Sequence, residues 1–116
     1  MLTIINSKGP WDGDDARNAL DMIMMAVSLD QDVQVIFLHD GVYQLLAQQA
    51  QALETKNPLV KYRILADVFE MESLYVLDSA LSERNLQSVP LAVNVERVNA
   101  ERCHQLLQQS DKVVRF

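Results

Sequence analysis

Apolar residues crowd most densely at Val33, Val35, Ile36, Phe37 and Leu38, a nearly continuous run of β-branched, aromatic and aliphatic side chains. A strand covered on both faces inside a parallel sheet reads this way, so a buried strand is predicted over 33–38. Polarity returns at His39, Asp40 and Gly41, after which Val42, Leu45, Leu46 and Ala50 recur at helical spacing. Strand, polar turn and helix make one half of a βαβ crossover. In open α/β sheets, ligands and partners meet the carboxyl ends of such strands, so a site is expected there first.

The same period-switching recurs along the chain. Leu2 to Asn6 reads as the first strand and Ser7 to Gly13 as a loop punctuated by Gly and Pro, with Asp12 as a helix cap. Asp14 and Asp15 suit the positive end of the helix that follows, over 14–29. One stripe of that helix, Ala16, Leu20, Ile23 and Val27, is expected to face the sheet. Met22, Met25 and Leu29 form a second stripe, rotated away from the first. A surface helix needs one apolar face, so the second stripe implies a second cover, either another subunit or loops of the same chain. Methionine suits an adaptable contact and also fills ordinary cores.

Gln48 to Pro58 is a polar connection, and Leu59, Tyr62, Leu65 and Ala66 return to helical spacing over 59–67. Leu74 to Leu77 is the third strand. Asp78 or Ser79 then caps a short helix through Leu81 to Arg84, and Asn85 suits a left-handed closing residue. Leu91 to Val95 is the fourth strand, Asn99 to Gln109 a helix capped by Asn99, and Lys112 to Phe116 the last strand. Strands alternating with helices predict an α/β, flavodoxin-like, single-domain three-layer sandwich over 1–116, with a mostly parallel five-stranded sheet. No internal repeat or low-complexity tract interrupts it.

The totals narrow the function classes. A chain of 116 residues fits one domain with a small core. No run approaches a membrane span, and Met1 to Lys8 lacks the basic and apolar segments of a leader, so a cytoplasmic location is expected. A net charge of -6 disfavours direct binding to nucleic acid or to anionic lipid. The single cysteine rules out an internal disulfide and a multi-cysteine zinc site.

Candidate chemistry is sparse. Gly9 and Gly13 lack the following Lys-Ser or Lys-Thr of a P-loop, and Asp12, Asp14 and Asp15 would repel a phosphate there. Asp78 stands where a receiver domain keeps its phosphorylated aspartate. Strand one, however, ends in Asn6-Ser7-Lys8 rather than in a magnesium-binding acidic pair, and the lysine expected beyond the last strand is missing. A flavin role wants a phosphate loop that is also missing. No spacing suits a metal, and no cofactor is expected. His39 and Asp40 resemble a base and its orienting carboxylate, but neighbours at a strand end point apart, and Asp40 is read as a cap. Cys103 lies on the helical stripe of Leu106, Leu107 and Ser110 and is read as structural rather than reactive.

Three segments taken together carry a resemblance: Asp40-Gly-Val-Tyr-Gln-Leu-Leu46, Tyr75-Val-Leu-Asp-Ser-Ala-Leu-Ser-Glu-Arg-Asn-Leu86, and the ending Val-Val-Arg-Phe116. In order and spacing they resemble the DsrE/DsrF/DsrH-like family over essentially the whole chain, most nearly its TusC/DsrF branch. The resemblance implies a sulfur-relay complex of three related subunits. Such complexes pass persulfide sulfur between carrier proteins, toward 2-thiouridine in transfer RNA or in sulfur oxidation. It also implies that the sulfur-bearing cysteine of the DsrE/TusD-type subunit corresponds to Val76, Leu77 or Asp78, none of them a thiol. Asn85 departs from the glycine usual in that turn. The resemblance thus implies a non-catalytic subunit that binds DsrE/TusD-like and DsrH/TusB-like sisters and meets sulfur carriers through the complex. Met22, Met25, Leu29, Asp40 and Tyr43 are its expected interface residues. Two alternatives stay open: a self-sufficient persulfide carrier using Cys103, and a homo-oligomeric interaction domain without relay activity.

Overall fold

The structure is a computed structural model and describes residues 1–9, 13–46, 73–91 and 94–116. Five strands, β1 (Leu2–Asn6), β2 (Val33–Phe37), β3 (Leu74–Leu77), β4 (Glu96–Val98) and β5 (Lys112–Arg115), form one sheet in the order β4-β3-β2-β1-β5. Every pairing is parallel, with Ile4 opposite Val35 and Val35 opposite Leu74. The predicted sheet is therefore fully parallel. The helices are α1 (Asp15–Ser28), α2 (Asp78–Ser82) and α3 (Ala100–Gln108), together with 3₁₀ turns over His39–Leu45.

β2 lies at the centre, and all five of its residues are buried. Val33, Val35 and Phe37 pack on one face with Ala19, Leu20, Ile23 and Ala26 of α1, Val42 and Leu45 of the 3₁₀ turns, and Ala80 and Leu81 of α2. Ile36 faces the other way, against Val98, Cys103 and Leu106. The topology explains the division. Crossovers from β1 to β4 step along the sheet in one direction and leave their helices on one face. The crossover from β4 to β5 returns past β1 and puts α3 on the other.

Gln34 interrupts the apolar run of β2, and the reason lies under α3. Its amide Nε2 donates to Thr3 Oγ1 at 2.7 Å, to the Leu106 carbonyl at 2.9 Å and to Ser110 Oγ at 3.1 Å. Thr3 and Ser110 also share a hydroxyl hydrogen bond. A fully buried glutamine thus ties two strands to the last turn of α3, satisfying a carbonyl that the helix itself leaves unpaired.

Several boundaries differ from expectation. The fourth strand is Glu96–Val98, not 91–95. Leu91 instead makes an antiparallel bridge to Leu46, and Val95 packs against the α1-side core. Leu91 and Val95 are apolar because they are partly buried, while an edge strand needs only Val98 turned inward. The helix predicted from Val42 onward is 3₁₀ through Leu45. Leu46 leaves it in an extended conformation because it forms that bridge. Val42 and Leu45 stand three apart, a spacing that 3₁₀ and α turns share. α2 starts directly from β3, so Leu77 holds its cap position and neither Asp78 nor Ser79 caps it. It ends as expected at Asn85, whose φ is +56°; the Asn85 and Leu86 amides donate to the Ser82 and Leu81 carbonyls.

The caps of the other helices can be compared too. Asn99 accepts the Arg102 amide at 2.8 Å, as predicted for α3. Asp14 holds the cap position of α1 without a side-chain bond. Asp12, Ala50, the connection over 48–58 and the helix expected over 59–67 lie outside the described residues. Among the described residues, no helix is long and apolar enough to cross a membrane.

Candidate functional site at the carboxyl edge of the sheet

The carboxyl ends of β1, β2 and β3 bring Asn6–Lys8, Leu38–Gly41 and Leu77–Ser79 to one edge. The turn after β2 is fastened to the end of β1. The Leu38 amide donates to the Asn6 carbonyl at 3.0 Å, and the Gly41 amide donates back to the Leu38 carbonyl at 2.9 Å. A Cβ on Gly41 would overlap the Asn6 carbonyl oxygen, so no other residue fits without moving backbone. Gln44 locks the same junction from below: its Nε2 donates to the Lys8 carbonyl at 2.8 Å and to Asn6 Oδ1 at 3.4 Å. His39 takes a left-handed conformation (φ 48°) at the apex and is exposed.

Asp40 does not cap the 3₁₀ turns, whose cap position is held by Leu38. Its Oδ1 accepts from Arg84 Nε at 3.1 Å and Nη2 at 2.9 Å, and Arg84 Nη1 donates to the Ala80 carbonyl at 3.1 Å. The pair joins the turn after β2 to the end of α2. His39 therefore has no orienting carboxylate in Asp40. Nothing local in the sequence marks Arg84, because its partner is 44 residues away.

β3 ends at the same edge with Val76 fully buried, Leu77 half-buried and Asp78 exposed. Cys103 is 7% exposed and lies on the opposite face of the sheet, packed with Ile36, Val98 and Leu106. Burial pushes its thiol pKa up, away from the thiolate that nucleophilic sulfur chemistry requires. Among the described residues, no three His, Cys, Asp or Glu side chains converge as a metal site.

The five expected interface residues separate into two groups. Asp40 and the half-buried Tyr43 lie at the carboxyl edge. Met25 and Leu29 are 68% and 66% exposed, while Met22 is partly buried against the α1-side core. Because α1 runs back across the sheet, its end lies toward the amino edge, where Met22 lines a cavity of about 460 Å³ with Met1, Leu2, Gln31, Asp32, Asp111 and Lys112. The sheet-facing stripe is also wider than predicted, with Ala19 and Ala26 buried and Val27 only half-buried.

The fold and this edge can be compared with known proteins. The profile of the DsrE/DsrF-like family matches residues 1–116. The chain belongs to the DsrE/DsrF-like family. A protein TusC homolog of Pseudomonas aeruginosa is 36% identical over 97% of this chain and 95% of its own length. The intracellular sulfur oxidation protein DsrF of Allochromatium vinosum is 33% identical over 97% of this chain and 93% of its own. The crystal structure of the ychN protein from E. coli superposes with a TM-score of 0.86 at 20% identity, covering 99% of this chain and 97% of that one; it shares the fold. At the end of β3 this chain has Val76, Leu77 and Asp78.

Proposed function

We propose that this chain is a non-catalytic, TusC/DsrF-type subunit of a hetero-oligomeric sulfur-relay complex. It acts in the cytoplasm as one domain over 1–116, with 2-thiouridine formation in transfer RNA as the downstream reaction. The observation that carries the reading is the end of β3, where a buried valine, a half-buried leucine and an exposed aspartate stand in place of a thiol. Full-length relatives named TusC and DsrF support it. The work left to the chain is to bind DsrE/TusD-like and DsrH/TusB-like sisters and to shape the surface on which sulfur carriers dock. A carboxyl edge fastened by Gly41, Gln44 and the Asp40–Arg84 pair suits that task, since a rigid surface loses little entropy on binding. Asp40 and Tyr43 are its contact residues.

Co-expression with the two sister subunits, followed by size-exclusion chromatography with light scattering, tests the reading. A stoichiometric complex is expected. A chain that elutes alone while its sisters associate would contradict it.

A further inference from the structure

α1 ends in a way that costs the isolated chain stability. Its last turn carries no basic residue, although the unpaired carbonyls there form the negative end of the helix dipole. Two exposed carboxylates follow instead, Asp30 and Asp32, and neither is in an ion pair among the described residues. Asp30 also takes the left-handed closing position (φ 57°), with its amide donating to the Val27 carbonyl at 3.1 Å and that of Gln31 to the Ala26 carbonyl at 3.0 Å. Glycine or asparagine usually fills that position. An aspartate there combines backbone strain with like-charge repulsion from the helix end.

The same end presents Met25 and Leu29 to solvent, continuous along the helix with Met22 in the amino-edge cavity. Between Arg17 and Lys56 the chain contains no Lys or Arg. The cations across the cavity are Lys112 and the Met1 amine, and the amine is engaged by Asp111 at 2.7 Å. Apolar anchor points beside unneutralised negative charge call for one kind of occupant.

We infer that the carboxyl end of α1 docks a segment of another protein in which an apolar side chain is flanked by Lys or Arg. The apolar side chain lies on Met25 and Leu29, and the cations neutralise Asp30, Asp32 and the helix end. A second copy of this chain does not fit, because a two-fold contact would set the same carboxylates against each other in a protein of net charge -6. The inference rests on the reading of this chain as a subunit of an assembly.

Asp30→Asn and Asp30→Gly separate docking from folding. Both variants should raise the Tm of the isolated chain and weaken its affinity for the sister subunits several-fold, with a shallower dependence on salt. A raised Tm with unchanged affinity and salt dependence would overturn the inference. A titration of the isolated chain with a synthetic peptide of alternating Leu and Lys gives a local readout, the rate of Met25 oxidation by peroxide. The lysine peptide should protect Met25 several-fold, and the protection should vanish at about 1 M salt, where the Debye length is about 3 Å. A peptide of Leu and Glu should give no protection. Equal oxidation with and without the lysine peptide, or protection that arises merely on concentrating the chain, would overturn the inference. Failure of the wild-type chain to join its sisters would instead defeat the functional reading, and the peptide titration alone would then decide this one.

Discussion

Cys103 is the thiol on which any sulfur chemistry of this chain would depend, and its surroundings oppose that role. It is enclosed by Ile36, Val98 and Leu106, and burial raises its pKa. Native alkylation at neutral pH should therefore be slow and should reach the free-thiol rate only in denaturant; a fast native rate would favour the carrier alternative. Because the folded pKa lies above the unfolded one, the linked stability is fully present below the ordinary thiol range and is lost as pH rises through the folded value. The Tm difference between wild type and Cys103→Ser should stay constant through neutral pH and change only in alkaline solution. Gly41 is the second decisive residue. Gly41→Ala places a methyl on the Asn6 carbonyl and should cost about 1–3 kcal/mol of stability, measured by denaturant unfolding. Gly41 was visible in the sequence as a turn residue, but the need for it was not, because that need comes from a strand more than thirty positions earlier.

At the scale of elements, what the sequence displayed well was periodicity. β2, β3, α1 and α3 were legible because each repeats its apolar residues at the period of one structure. β4 was not, since three residues with one inward side chain carry no period, and Leu91 and Val95 before it pack outside any strand of the sheet. The 3₁₀ turns look helical in the sequence because Val42 and Leu45 fit either repeat. Gln34 shows another limit: a polar residue within a buried strand has its reason in Thr3, Leu106 and Ser110, which local pattern cannot reveal. Gln34→Ala removes the amide that joins β1 and β2 to α3, leaving Thr3 and Ser110 bonded to each other and the Leu106 carbonyl to Ser110 Oγ, and should cost about 1 kcal/mol. Hydrogen exchange should show the loss first in the last turn of α3. Unchanged stability would mean that the network does not hold α3 in place.

For the whole molecule, the strand order places two different surfaces at opposite edges of one parallel sheet. The carboxyl edge, with Asp40, Tyr43 and the end of β3, is fastened by hydrogen bonds and lacks a thiol among its described residues. The end of α1, toward the amino edge, is apolar and acidic. Of the candidate site, the absence of a thiol at β3 was legible, because it depends on residue identity at a family position. The separation of Met25 and Leu29 from Asp40 and Tyr43 was not, because only the path of α1 across the sheet sets those pairs apart. The proposed role, a subunit that holds others together while a sister carries the sulfur, would use both surfaces. The most direct test is sulfur transfer from a persulfidated carrier protein to the complex reconstituted with Cys103→Ser in this chain. Transfer at the wild-type rate through an intact complex is the predicted result. Loss of transfer with assembly unchanged would make Cys103 the carrier and contradict the account.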